Sequence, residues 1–168
     1  SVQGVEFVAD VVAEALRIDR REVIHELSGP MQKELRLVTA IGLQDVPGGR
    51  LARYRFRHNL VQDYLYRQLD EIERAELHGA TGMSLERIHA EDPATVAVSL
   101  ALHFTAAGDC ARAIRYRLLA AESAARTFAH DQAVEHFEQV VVLQATHRRI
   151  IGAVMDVATV QESLGDEL

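Results

Sequence analysis

The chain has 168 residues, 48% of them apolar, and a formal net charge of -7, which is enough for one domain or two small ones with a real core. Cys110 is the only cysteine, so no internal disulfide can form, and a reducing cytoplasmic setting is expected. No apolar run reaches the ~18 residues that a membrane span needs, and nothing resembles a charged and apolar leader. Residues 1–90 carry 12 basic and 14 acidic side chains against 6 and 11 in residues 91–168, so the acidic second half argues against a long nucleic-acid surface there.

In chain order, Phe7, Val8, Val11, Val12, Ala15 and Leu16 stand at helical spacing over residues 6–16. Asp19 followed by Glu22 has the form of a capping box for a second short helix with Val23, Ile24 and Leu27 on its apolar side. Ser28, Gly29 and Pro30 should end it, and a third helix should follow with Met31, Leu35 and Val38 turned inward. Two extended runs, Ile41 to Val46 and Leu51 to Arg57, flank Pro47, Gly48 and Gly49, which reads as a hairpin. Three helices and a hairpin outline a winged helix. Leu60, Val61, Tyr64 and Leu65 then open a helix expected to pack back on it.

Asp70 and Glu73 form another capping box, for a helix reaching to about His89 with a weak spot at Gly79 and Gly82. Asp92 before Pro93 is a helix start, a cap and then a first-turn proline, and the domain boundary is placed near it. The remainder reads as helix. Ala111, Ile114, Leu118, Ala121, Ala125 and Phe128 make one buried stripe. Ala133, Val134, Phe137, Val140 and Val141 make the next, and Ile150, Val154, Val157 and Leu164 the last. The expected fold class is therefore mainly α, a winged-helix domain with a small β-hairpin followed by a helical repeat array. The expected division is 1–69 winged-helix-like, 70–91 connecting helix and 92–168 repeats.

Gly108, Asp109, Ala113, Ile114, Tyr116 and Ala120 resemble the second helix of a tetratricopeptide repeat, with small residues where helices cross and an aromatic between them. Ala133, Val134 and Phe137 look like a second, poorer copy, and Leu164, Gly165 and Asp166 like the turn of a third. The repeat period should be about 34 residues. The shorter spacing from Ala113 to Ala133 requires one long helix over 110–128. An ordinary helical bundle is the alternative, and either makes this half an interaction scaffold.

No catalytic constellation is legible. Lys33, the only lysine, follows Gln32, so no phosphate-cradling P-loop exists in this chain. The eight histidines are scattered without zinc spacing. No enzymatic activity is expected of the chain itself, and no cofactor or metal.

The most informative stretch is Tyr54 to Tyr66, YRFRHNLVQDYLY, in which arginines and aromatics alternate and helical spacing begins after His58. Arg50, Arg53, Arg55 and Arg57 lie within eight residues that hold no acid. Such a wing could touch DNA together with Lys33 and Arg36 of the third helix, but Glu34 mixes that face and the half is net negative. Docking on another domain is the other reading of Arg50, Arg53 and Arg55.

The segments GVEFVADVVAEAL, LVTAIGLQDVPGGRLARYRFRHNLVQDYLYRQLDEIERAELH and LALHFTAAGDCARAIRYRLLAA resemble the region after the nucleotide-binding core in signal-transduction ATPases with numerous domains. That family includes bacterial transcriptional activators and cyclase-linked regulators, and the resemblance covers residues 4 to about 145. In the wider class a Met-His-Asp motif occupies the matching place, and its histidine contacts the β-phosphate of ADP in the closed state. His58 matches that histidine, with Arg57 in place of Met and Asn59 in place of Asp. The resemblance implies that the chain is a piece of a longer cytoplasmic protein whose missing core binds ATP or ADP with Mg. Its implied partners are that core, through His58 and Arg57, and a protein or ligand on the repeats, with no membrane contact. A DNA-binding regulator and a pure adaptor of helical repeats remain the alternatives.

Overall fold

The computed structural model describes residues 1–46 and 49–165, with side chains placed up to residue 149. The protein is mainly helical with one three-stranded antiparallel sheet. It divides into two compact units, one from Ser1 to Asp109 and one from Cys110 onward.

The first unit opens with strand β1 (Glu6–Val8), then helices α1 (Ala9–Leu16) and α2 (Arg20–Glu26). A π-helical segment, Leu27–Glu34, continues α2 directly. Strands β2 (Val38–Val46) and β3 (Gly49–Phe56) form a hairpin. The sheet order is β1-β3-β2, with Glu6 opposite Arg55 and Val8 opposite Arg53. Helices α3 (Asn59–Gln68) and α4 (Glu71–Ile88), a 3-10 turn (Pro93–Val96) and α5 (Ala97–Ala106) complete the unit. The division falls after Asp109, so residues 92–109 go with the first unit, where α5 packs on α4.

Several expectations need correction. Phe7 and Val8 belong to a strand, because β3 offers an edge on which Phe7 stacks against Tyr54 (centroids 6.0 Å apart) and meets Phe56 at a tilt (5.2 Å). Ser28, Gly29 and Pro30 do not stop the helix. Pro30 has no N–H and would clash in an α-helix, and the chain answers by widening to π winding, in which Leu35 N–H donates to the Pro30 carbonyl at 2.9 Å. There is thus no separate third α-helix. Met31 packs against the core, but Leu35 is exposed, and Val38 is buried from β2. Ile41 sits at a bulge in β2, where the register shifts between Ala40 and Gly42. On α3, Val61 packs on the core while Leu60 and Tyr64 face solvent.

The core of this unit gathers Phe7, Ala9, Ala13, Val23, Val38, Ala52, Tyr54 and Phe56. Even-numbered residues of β3 from Ala52 to Phe56 point inward, so Arg53 and Arg55 lie on the opposite face. Asp19 caps α2 by accepting from Arg21 N–H at 2.8 Å, a simple cap rather than the expected capping box with Glu22. The Asp70–Glu73 capping box is complete. Asp92, by contrast, makes no side-chain cap. α4 runs unbroken through Gly79 and Gly82, because Gly82 lets the Phe104 ring of α5 lie directly on its backbone.

Glu14 ties α1 to α4, accepting from Ser84 Oγ at 2.6 Å and from the Arg87 guanidinium. The Arg87 hydrogen bond, with that of Ser84, holds the Glu14 carboxyl below its usual range. Since Ser84 is fully buried, Glu14→Ala would leave its hydroxyl unpaired. The expected loss is about 1–2 kcal/mol, mostly from Ser84, since the half-exposed ion pair adds little. Urea unfolding of Glu14→Ala against wild type checks this, and an unchanged midpoint would remove Glu14 as a tie.

The second unit holds α6 (Cys110–Arg126) and α7 (His130–Gly165), packed along each other. The buried residues of α6 are Ala113, Tyr116, Ala120 and Ala121, which include the repeat-like positions. Of the expected stripe Ala111, Ile114, Leu118, Ala121, Ala125 and Phe128, Ala121 is buried and Ile114 half-buried, while the other four are exposed. Small side chains permit close helix approach at the buried positions, and Phe128 stands in a left-handed turn (φ 60°) between the helices. On α7, Ala133 and Val140 are buried while Val134, Phe137 and Val141 are exposed. Pro47, Gly48 and Asp166, and the side chains of Ile150, Val154, Val157 and Leu164, lie outside the described residues.

Candidate functional site

β3 ends at Phe56 and α3 begins at Asn59, so Arg57 and His58 occupy the corner between them. The corner is held by backbone. Arg57 N–H donates to the Leu37 carbonyl at 2.9 Å, and the His58 carbonyl accepts from Val61 N–H at 3.1 Å. His58 is the N-cap of α3 in extended conformation, but its ring makes no cap hydrogen bond. Both side chains are exposed and free of partners. Leu60, 81% exposed, and Tyr64 stand one turn apart just beyond them, which is a large apolar pair beside two polar groups.

The other arginines singled out from the sequence are differently placed. Glu6 on β1 lies between Arg53 and Arg55, accepting from Arg53 Nη2 at 2.6 Å and from Arg55 Nε at 3.0 Å. The Arg55 hydrogen bond leads in holding the Glu6 carboxyl below its usual range. Arg50 pairs with Asp45 at 3.0 Å across the hairpin. Arg50 is thus paired with a carboxylate of its own, while Arg53 and Arg55 share the single Glu6 carboxylate, so all three are held by their own sheet whereas Arg57 and His58 have no such partner. Sequence spacing did not show this, because Glu6 is far away along the chain and reaches β3 only through strand pairing.

A second constellation escaped the sequence reading altogether. Tyr66 of α3, His78 of α4 and His103 of α5 form a hydrogen-bonded line in the interior of the first unit. Tyr66 Oη is 3.0 Å from His78 Nε2, and His78 Nδ1 is 2.9 Å from His103 Nδ1. A neutral imidazole has one N–H and one lone pair. If the Tyr66 hydroxyl donates to Nε2, His78 donates from Nδ1, and His103 accepts at Nδ1. The two shared hydrogen bonds are then formed with no net charge, and the remaining N–H of His103 is placed on Nε2. The Arg74 guanidinium covers the Tyr66 ring 4.7 Å from its centroid.

Burial pushes His103 down to about 4, helped by the neighbouring His78. Burial also lowers His78, helped by Arg74 and the Ser1 amine. Both histidines are thus neutral at pH 7. The available signal was helical spacing: His78 is in step with Thr81, Gly82 and Leu85, and His103 neighbours Leu100 and Phe104 in the apolar run of α5.

Among the described residues no group of three or more His, Cys, Asp or Glu side chains could hold a metal ion. None of their helices is long and apolar enough to cross a membrane. No protein-family model, no curated protein and no solved structure matches the chain. What fold and site define is thus a class of architecture, a mainly helical protein with a small antiparallel sheet and an open polar corner between β3 and α3.

Proposed function

We propose that the chain is a regulatory and scaffold part of a multidomain signalling ATPase. In this reading residues 1–69 are a winged-helix-like domain that closes on a nucleotide-bound core through His58, and residues 92–168 belong to a tetratricopeptide-like scaffold that receives a protein or ligand. The carrying observation is the corner itself: Arg57 and His58, exposed and unpartnered, stand beside the exposed apolar pair Leu60 and Tyr64. A polar contact group framed by uncovered apolar side chains suits docking on another domain. The hairpin and the sheet order β1-β3-β2 support the winged-helix reading, in which the π-helical continuation of α2 stands in place of the expected separate third helix. Burial of Ala113, Tyr116, Ala120 and Ala133 between paired helices supports the repeat reading.

The rival DNA-binding reading loses support, because Arg50, Arg53 and Arg55 are already paired with carboxylates. In a closed state the His58 ring would donate a hydrogen bond to an ADP phosphate, and Arg57 would add a fixed positive charge. Nucleotide exchange or a partner on the helical half would favour the open state only through different contacts in the two states. Regulation of transcription or of cyclic-nucleotide synthesis is the proposed output.

The test is the ADP content and basal output of the full-length parent with His58→Ala. The expected result is roughly tenfold weaker ADP retention, the loss of about one charge-assisted hydrogen bond, together with raised basal output. Equal ADP and equal output in both proteins would take His58 out of the mechanism.

A further inference from the structure

The first unit carries a shallow cleft of about 420 Å³ on α2 and the π-helical segment, lined by Arg21, Ile24, His25, Ser28, Gly29 and Lys33. Its polar character is one-sided. Arg21 and Lys33 are cations, His25 can donate from its ring, and no carboxylate lines the cleft. The side chains of all three are exposed and without partners. Elsewhere in this unit Arg20, Arg50, Arg53, Arg55, Arg67 and Arg87 are each bound to a carboxylate. The free positive charge of α2 and the segment after it is thus concentrated on this cleft. Glu22 and Glu26 belong to the adjacent side of α2, one residue round from Arg21 and His25.

Lys33 reaches this cleft because of the π winding. In a continued α-helix, Gln32 would share the face of Arg21, His25 and Ser28. With one more residue per turn, that face returns at Lys33 instead. Gln32 is turned to β2, where its Oε1 accepts from Ala40 N–H at 3.0 Å. Pro30, by enforcing the wider winding, thereby assembles Arg21, His25 and Lys33 on one wall.

We propose that this cleft binds a phosphate-bearing small molecule, with Arg21 and Lys33 neutralising the phosphate, His25 donating to it, and Ile24 supporting the apolar part. A planar guanidinium and a mobile ammonium facing one anion suit a multiply charged phosphate better than a single carboxylate. The volume suits a small molecule. The paired wing arginines leave no continuous basic stripe, as a nucleic-acid backbone would require. The site lies on other elements than Arg57 and His58 and does not depend on their role.

The test is a heteronuclear NMR titration of the 168-residue chain with inorganic pyrophosphate and, separately, with ADP at low salt. Saturable shifts are expected at residues 21, 25, 28, 29 and 33, and roughly tenfold weaker binding by an Arg21→Gln, Lys33→Gln double variant. Both positions are exposed, so the variant should keep its circular dichroism. Tighter ADP than pyrophosphate would make the ligand a nucleotide, and equal binding would make it a bare phosphate, each consistent with the site. No saturable shift with either probe, or unchanged affinity in the double variant, overturns it. So would stronger binding of a short DNA duplex to the same residues. Saturable shifts at residues 21, 25 and 33 without matching shifts at residues 57 and 58 separate this outcome from that of the corner.

Discussion

Acidification from about pH 6.5 towards 4 is expected to remove roughly 3 kcal/mol of stability from the first unit through His103 alone. Its folded value lies near 4 against an ordinary 6.5, and each pKa unit corresponds to ~1.4 kcal/mol. The sign follows from which state takes the proton. Below 6.5 the unfolded chain protonates this ring, while the folded chain refuses the charge in its interior. The stability is therefore complete above 6.5, falls as pH drops, and levels off for this group below about 4. His78 and His89, both lowered chiefly by burial, steepen the same fall.

Glu6 and Glu14 cannot account for it. Their carboxyls are held below the ordinary 4.5, so what they contribute is lost only under that pH. Between 6.5 and 4.5 the histidines carry the fall, added to that of the Ser1 amine, which burial also lowers from its ordinary 8.0. Urea unfolding at several pH values, for wild type and His103→Leu, measures it. The variant should be less stable at pH 7 by about 1–3 kcal/mol, because the His78 N–H loses its acceptor in a buried place. Its pH slope in the window should be shallower by close to one proton. Equal slopes would mean that His103 is hydrated and that the helices carrying the pair open readily.

Gly82→Ala and Gly79→Ala, three residues apart on α4, are expected to have opposite effects. Both replace glycine inside a helix, which by itself favours alanine by ~1 kcal/mol. A Cβ on Gly79 would meet only the Ala107 methyl at 3.5 Å, an ordinary contact. A Cβ on Gly82 would stand 3.0 Å from Phe104 Cε1, with two more ring atoms within 3.3 Å. The Phe104 ring is 1% exposed, so it can give way only by displacing packed neighbours. Overpacking of that kind costs about 1–3 kcal/mol, enough to outweigh the helix gain. Gly79→Ala should thus raise the unfolding midpoint and Gly82→Ala lower it. If both rise, the ring swings aside freely and the contact between α4 and α5 is loose.

This pair of glycines shows where sequence reading meets its limit. Two glycines in one helical run look alike as weak spots, since local propensity is the same for both. Only the partner helix distinguishes them, and the partner is chosen by packing. The same holds for β1: its residues have helical spacing, but the open edge of β3 claimed them as a strand. Pro30 is a breaker by local rule, yet it widened the helix rather than ending it, because α2 was already anchored on the core through Val23 and Ile24.

Local patterning carried a good deal. The helical character, the hairpin, the caps at Asp19 and Asp70, and the corner at Arg57 and His58 are all effects of near neighbours along the chain, and such effects are written in the sequence. The repeat-like positions Ala113, Tyr116 and Ala120 are buried, whereas the other expected stripe is buried only at Ala121 and exposed at Leu118 and Phe128. Tertiary structure alone decided which charges remained free. Glu6 reached Arg53 and Arg55 through strand pairing, and π winding brought Lys33 to Arg21. Helix packing set His78 against His103. Strand pairing and helix packing join residues whose spacing along the chain has no bearing on their distance, and the π winding replaced the α-helical period by which Gln32 rather than Lys33 would have faced Arg21.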